Sequence, residues 1–210
     1  MIDLHYFSPE EEIFNPLYTE KKVQVFVKRD DLIHPFISGN KWRKLKYSLR
    51  QARENNKNHL ITFGGAYSNH LLATAAAAAK FGFISTGFVR GEKVENPILL
   101  LCALFGMNLI FTNRTSYRDK NILFESHFAD DRNAFFIDEG GAGVLAVKGC
   151  TELVDELKQP YHHLFCACGT GTTVAGILKG ISGKQPDTKL HAIPVLRNED
   201  SIRAEIKKHN

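Results

Sequence analysis

His59-Leu60-Ile61-Thr62-Phe63-Gly64-Gly65-Ala66-Tyr67-Ser68-Asn69-His70 is the stretch from which the architecture can be read. Its apolar start reads as a short strand, and two glycines end it. Ser68 or Asn69 then caps a helix running from about Asn69 to Phe81, which contains Ala75 through Ala79 without interruption. Alanine is the best helix former and carries almost no side chain, so such a helix packs close against a sheet. The same grammar of strand, glycine turn and helix recurs on both sides.

Upstream, Val23 to Lys28 reads as a strand, Lys28-Arg29-Asp30-Asp31 as a turn, and Lys41 to roughly Asn55 as a helix. Trp42, Leu45 and Leu49 fall on one face of that helix. Residues 1 to 22, with Pro9 and Pro16, are expected to wrap the surface. Downstream, strands are expected at Ser85–Val89, Asn108–Thr112, Ala134–Ile137, His163–Cys168 and Leu190–Val195. Helices are expected near 97–105, within 113–132, and at 144–157, 174–181 and 201–209. This alternation with short glycine-rich turns predicts a parallel α/β architecture.

The totals exclude several classes. The chain has 210 residues, 43% hydrophobic and 24% charged, with a formal net charge of +4 spread along its length. That mild basicity suits an anionic small ligand and does not suggest nucleic acid. No segment is long and apolar enough to span a membrane, and Met1-Ile2-Asp3-Leu4-His5 is not a secretory start. Cys102, Cys150, Cys166 and Cys168 are too few for a disulfide framework, which favours a cytoplasmic setting. Cys166-x-Cys168 lacks the spacing and the second pair of a zinc site, so no metal is expected.

Three stretches carry chemistry. Ser38-Gly39-Asn40-Lys41-Trp42-Arg43-Lys44-Leu45 holds a lysine on a Gly-Asn turn at a strand-to-helix junction, where backbone on both sides aims it; a solvated basic helix start is the plainer reading. Cys168-Gly169-Thr170-Gly171-Thr172-Thr173 lies between an apolar strand and an apolar helix. Its glycines let backbone N–H groups converge, Thr172 or Thr173 can cap the helix, and the dipole favours a phosphate. A tight turn with no ligand would use the same residues. No lysine follows as in a P-loop, and Val174 stands where a dinucleotide fingerprint needs glycine, so a single terminal phosphate fits better. Gly64 to His70 is a second anion cup, with Ser68 and Asn69 offering side-chain hydrogen bonds. A poised lysine, a phosphate cup and a carboxylate cup form a coherent set for an aldehyde cofactor such as pyridoxal phosphate acting on an amino acid.

These three stretches, with Asp138-Glu139-Gly140-Gly141, resemble the 1-aminocyclopropane-1-carboxylate deaminase/D-cysteine desulfhydrase family of fold type II pyridoxal-phosphate enzymes. The resemblance runs from about residue 23 to 195, with the motifs in family order. It implies a two-lobed open parallel-sheet α/β architecture. Residues 1–52 and 144–210 would form a large cofactor-binding lobe, and 53–143 a smaller inserted one. The cofactor implied is pyridoxal 5′-phosphate. Lys41 would hold it as a Schiff base and move protons, Lys44 would lie near its phosphate, and Asn69 would meet its ring hydroxyl. Gly169, Thr170, Gly171, Thr172 and Thr173 would cradle the phosphate. Ser68 would contact the substrate carboxylate, with Asn69 and His70 beside it, and Glu139-Gly140-Gly141 would line the edge of the site.

The reaction implied is deamination of a small amino acid to a 2-oxo acid and ammonia, or elimination of sulfide from D-cysteine. A catalytically inactive relative binding a phosphorylated metabolite is the alternative of another class. The resemblance also implies a homodimer. Family members continue past the equivalent of His209, so the C-terminal part of the large lobe is expected to be missing here and the site of this stretch alone to be incomplete.

Overall fold

A computed structural model describes residues 2–195 and 199–209. In chain order it comprises β1 (Glu10–Ile13), α1 (Pro16–Glu20), β2 (Val25–Lys28), α2 (Asn40–Glu54), β3 (His59–Gly65), α3 (Asn69–Phe81), β4 (Ile84–Arg90) and α4 (Pro97–Leu104). There follow β5 (Met107–Thr112), α5 (Lys120–Phe128), β6 (Ala134–Ile137), α6 (Val144–Asp155), β7 (His163–Cys168), α7 (Thr172–Lys184), β8 (Lys189–Pro194) and α8 (Glu199–His209).

Four strands between His59 and Ile137 form one parallel sheet in the order β5-β4-β3-β6. Its central strand β3 is buried from Leu60 to Gly64, as a parallel strand covered on both faces should be. Helix α3 lies against one face. Leu71, Leu72 and Ala75 meet Val89, Leu99, Cys102 and Met107 on that side. On the opposite face Ile61, Phe63 and Phe88 pack with Tyr117, Leu123 and Ala134. The alanines of α3 do what their size allows: Ala73, Ala76, Ala77 and Ala78 sit against Trp42, Leu45 and Leu49 of α2.

Helices α2, α6 and α7 stack even more tightly, through glycines. A methyl group on Gly149 of α6 would stand 1.8 Å from the Arg43 carbonyl oxygen of α2, and one on Gly176 of α7 would stand 2.4 Å from Cys150 Cβ of α6. Only glycine permits these two approaches. The stack places the start of α2 beside the start of α7, and Asn40 Nδ2 donates to Thr173 Oγ1 at 2.7 Å. The parallel pair β7-β8 packs on α7 through Ile177, Ile181, Leu164 and Leu190.

Two expectations are corrected. The N-terminal residues do not simply wrap the surface: Ile2 and Leu4 are buried in the core with Trp42, and Glu10–Ile13 pairs antiparallel with β2. The reason is energetic: two large aliphatic side chains are worth a few kcal/mol when removed from water. The upstream strand is accordingly shorter than expected, Val25–Lys28. Neither Thr172 nor Thr173 caps α7. Gly171, at φ 93°, is the N-cap and offers no side-chain acceptor.

Candidate active site

Lys41 is the second residue of α2, held from behind by its neighbours. Gly39 precedes the helix at φ 59°, a conformation suited to glycine, and its N–H bonds to the Asp30 carbonyl at 3.0 Å. Arg43, 1% exposed, donates from Nε and Nη2 to Asp30 at 2.7 Å and from Nη1 and Nη2 to Glu156, the C-cap of α6, at 2.8 Å. Tyr6 and Lys28 also reach Glu156, at 2.7 and 2.9 Å. Burial would raise the Glu156 carboxyl, but hydrogen bonds from Arg43, Tyr6 and Lys28 overcome it and bring its pKa down to about 2. A buried arginine is tolerated only when paired in this way.

The Lys41 backbone N–H bonds to the Ser38 carbonyl at 3.2 Å, but its side-chain amine has no hydrogen bond or ion pair among the described residues. Burial, and then the charge of Lys44 one turn on, lower its pKa to about 8. A lysine so placed is about one-tenth neutral at pH 7, far more than a free lysine, which favours its use as a nucleophile or base. Lys44 is buried and likewise lowered, chiefly by desolvation. Its ammonium donates to the Gly140 carbonyl at 2.9 Å and lies 3.4 Å from Thr170 Oγ1. This one side chain joins α2, the Glu139-Gly140-Gly141 turn and the loop before α7.

His70 joins the third stretch to the same place. Its Nε2 is 2.8 Å from Thr62 Oγ1, and that hydroxyl donates to the Ile137 carbonyl at 2.9 Å. Thr62 must therefore accept, which puts the proton of His70 on Nε2 and leaves Nδ1 as a bare acceptor. That Nδ1 is buried without a partner. Burial, then Lys41 and Lys44, hold the imidazole well below its usual pKa, hence neutral. A methyl group on Gly141 would come within 3.1 Å of its ring.

Ser68 is the N-cap of α3, and its Oγ accepts from the Leu71 N–H at 3.3 Å. Its hydroxyl proton stays available for an anion. Asn69 is the exposed first residue of the helix. At α7 the loop is different: Thr172 and Thr173 are buried, Gly169 and Thr170 are exposed, and the helix starts without a side-chain cap. Its first N–H groups are left to an outside acceptor. The stem of Glu205 of α8 stands close by, its Cβ 3.3 Å from where a methyl on Gly171 would lie; His209 pairs with its carboxylate at 3.1 Å.

Lys41, Lys44, His70, Thr170, Thr173 and the Glu139–Gly141 turn are thus gathered into one region. No hydrogen bond ties Ser68 or Asn69 to Lys41 or to the 169–173 loop among the described residues. The roles of Arg43, Asp30, Glu156 and Thr62 escaped the reading of the sequence; Glu156 lies 113 residues from Arg43 and Ile137 lies 75 from Thr62, and no local pattern marks these pairings.

A family described as pyridoxal-phosphate dependent enzyme matches residues 13–208. The chain belongs to that family. A Thermotoga maritima protein, named provisionally as a 1-aminocyclopropane-1-carboxylate deaminase, is 33% identical over 88% of this chain and 62% of its own length. The bifunctional D-cysteine desulfhydrase/1-aminocyclopropane-1-carboxylate deaminase of Arabidopsis thaliana is 29% identical over 84% of this chain and 50% of its own. The crystal structure of an ACC deaminase homologue superposes with a TM-score of 0.84 at 26% identity, covering 98% of this chain and 67% of that one. The chain spans between half and two thirds of the length of these relatives. The family's cofactor is pyridoxal phosphate, and the residues fit it. An unpaired lysine, an uncapped helix N-terminus and the Lys44 cation between them suit an aldehyde and a phosphate on one small molecule.

Proposed function

We propose that this chain carries the cofactor-binding half of a pyridoxal-phosphate-dependent deaminase of a small amino acid, acting like a 1-aminocyclopropane-1-carboxylate deaminase and yielding a 2-oxo acid and ammonia. The observation that carries it is the Lys41 amine, unpaired among the described residues, in the region where Lys44 joins the Gly140 turn to Thr170 and the Nδ1 of the buried His70 has no partner; burial and Lys44 lower the pKa of that amine. D-cysteine desulfhydration is the second reading, favoured by the Arabidopsis relative, whose name joins both reactions.

When bound, pyridoxal phosphate supplies an aldehyde carbon and an electron-accepting ring. The chain's own residues do the rest. Lys41 Nζ would hold the cofactor covalently and, once displaced by substrate, would move protons at the carbons that react: the ring methylenes of the cyclopropane amino acid, whose α-carbon carries no hydrogen, or the α-carbon of D-cysteine. The first turn of α7, with Gly169, Thr170, Gly171, Thr172 and Thr173, binds the phosphate, and Lys44 adds a positive charge beside it. Ser68 donates its hydroxyl to the substrate carboxylate. Asn69 hydrogen-bonds the ring hydroxyl of the cofactor, and His70 flanks the substrate. Residues 1–52 with 144–210 act as one lobe and 53–143 as the other, in a cytoplasmic homodimer that needs neither nucleic acid nor membrane.

The test offers 1-aminocyclopropane-1-carboxylate and D-cysteine in parallel to the cofactor-loaded chain. Ammonia from the cyclopropane amino acid, lost in Lys41→Ala, supports the first reading; sulfide from D-cysteine alone selects the second. If neither yields ammonia and neither alters the cofactor's absorbance, the proposal fails.

A further inference from the structure

At the carboxyl edge of the four-stranded sheet lies a cleft of about 410 Å³ lined by Arg90, Arg114, Tyr117, Arg118, Lys120 and Glu139. Four cations face a single lining carboxylate. Arg90 closes β4, Arg114 follows β5, and Tyr117 and Arg118 form the short turn before α5. In parallel α/β sheets this edge is where ligands settle. The cleft also adjoins the site described above, because Arg90 Nη2 would lie 3.7 Å from a methyl on Gly65, at the end of the strand leading to Ser68.

The cations are poorly compensated. Lys120 Nζ is 3.5 Å from Glu139 and 3.8 Å from Asp138, and Arg90 is 3.9 Å from Glu139, all beyond good hydrogen-bond length. Arg114 and Arg118 have no carboxylate within 4.0 Å among the described residues. Tyr117 is 3% exposed; its hydroxyl makes no hydrogen bond of good geometry, and the carboxylate it faces is that of Glu139, already shared with Arg90 and Lys120. The Arg90 guanidinium and the Lys120 ammonium stand 5.5 and 5.8 Å from its ring centre. A buried hydroxyl without a well-formed hydrogen bond is unfavourable, and like charges brought together with one shared carboxylate repel. Both defects are relieved by the same ligand: an anion with oxygens that can accept from the guanidiniums and from Tyr117.

We propose that this cleft is an anion-binding site for a small organic acid bearing two oxyanion groups, carboxylate or phosphate. Guanidinium forks match the geometry of either oxyanion, and Lys120 adds a point charge. The cleft is separate from the phosphate cup at α7 and does not depend on the reaction proposed above.

Calorimetric titration of the full chain, with pyridoxal phosphate present to fill the α7 cup, tests this with succinate and inorganic phosphate as probes. Saturable binding of at least one is expected, and the tighter of the two identifies the oxyanion. Arg114→Gln with Arg118→Gln should weaken it by at least about tenfold, since charge-assisted hydrogen bonds are lost. Both side chains are exposed, so the fold should hold. Tyr117→Phe should weaken it about threefold with the ring retained. The paired control Lys158→Gln with Lys208→Gln removes the same net charge from exposed positions outside the cleft lining and should leave binding unchanged. The proposal is overturned if neither probe binds saturably, if the control weakens binding as much as the arginine pair, or if phosphate binds only while pyridoxal phosphate is absent.

Discussion

The two glycine turns, Gly64–Asn69 and Cys168–Thr173, share one grammar and end differently. At α3 the chain satisfies its own helix start: Ser68 Oγ accepts from Leu71, and the turn folds so tightly that a methyl on Gly64 would lie 2.6 Å from that oxygen. At α7 the N-cap is a glycine with positive φ, and no side chain turns back to the first N–H groups. A capped helix start can still hold a carboxylate at its edge. An uncapped, partly enclosed one leaves backbone N–H groups without side-chain acceptors, the arrangement a phosphate would suit under the proposed function. The difference separates a turn that satisfies its own helix start from one that does not.

Substitutions can break that comparison. The largest effect is expected from Gly171→Asp, which brings a carboxylate to the α7 start, against the neighbouring Ile202 carbonyl and Glu205. Cofactor affinity, read by absorbance titration, should fall on the order of 100-fold as the side chain competes with the phosphate. Unchanged affinity would show that the phosphate lies elsewhere. Next is Gly64→Ala, whose methyl collides with Ser68 and Leu71; thermal or denaturant unfolding should register a loss of about 1–3 kcal/mol. Gly169→Ala provides the contrast, with nothing within 4 Å of the new methyl, and should change stability by less than about 0.5 kcal/mol. Ser68→Ala should cost about 1 kcal/mol of stability through the lost cap, and should raise the KM for the amino-acid substrate more than it lowers cofactor affinity. The smallest effect is Glu205→Gln. Removing a negative charge beside Gly171 should tighten cofactor binding by about two- to threefold, and less so at high salt.

The first of these turns was nearly all readable from the sequence, and the second was not. Strand β3, the glycines, Ser68 as cap and the alanine helix are local signals that agree with one another, and the structure follows them to the residue at Asn69–Phe81. The apolar face of α2 was readable for the same reason: Trp42, Leu45 and Leu49 are fully buried. At α7 two threonines looked like caps, yet the chain uses Gly171, because the close packing of α7 on α6 through Gly176 and Gly180 decides where the helix begins. Tertiary contact outweighed local preference there. The Arg43 network was invisible because Glu156 lies 113 residues away, and β1 was hidden because three of its four residues are glutamates. The cluster of His70, Lys41 and Lys44 lay between these cases. Each residue was named in the sequence; their meeting depends on the Thr62 hydroxyl and the Gly141 turn.

The central claim is that Lys41 is the covalent anchor of the cofactor, poised by burial and by Lys44. The direct test is to add pyridoxal phosphate over a range of pH, follow the near-visible absorbance, reduce with borohydride and map the labelled peptide. The label should fall on the peptide containing Lys41. Because the Lys41 pKa is depressed to about 8, its amine is protonated below that pH and neutral above it. The rate of attachment should therefore rise about tenfold per pH unit below 8 and level off above it. Lys41→Ala should give no label, and Lys44→Ala should weaken attachment and move the midpoint upward. A label on another lysine, or an equal label in Lys41→Ala, would contradict the account.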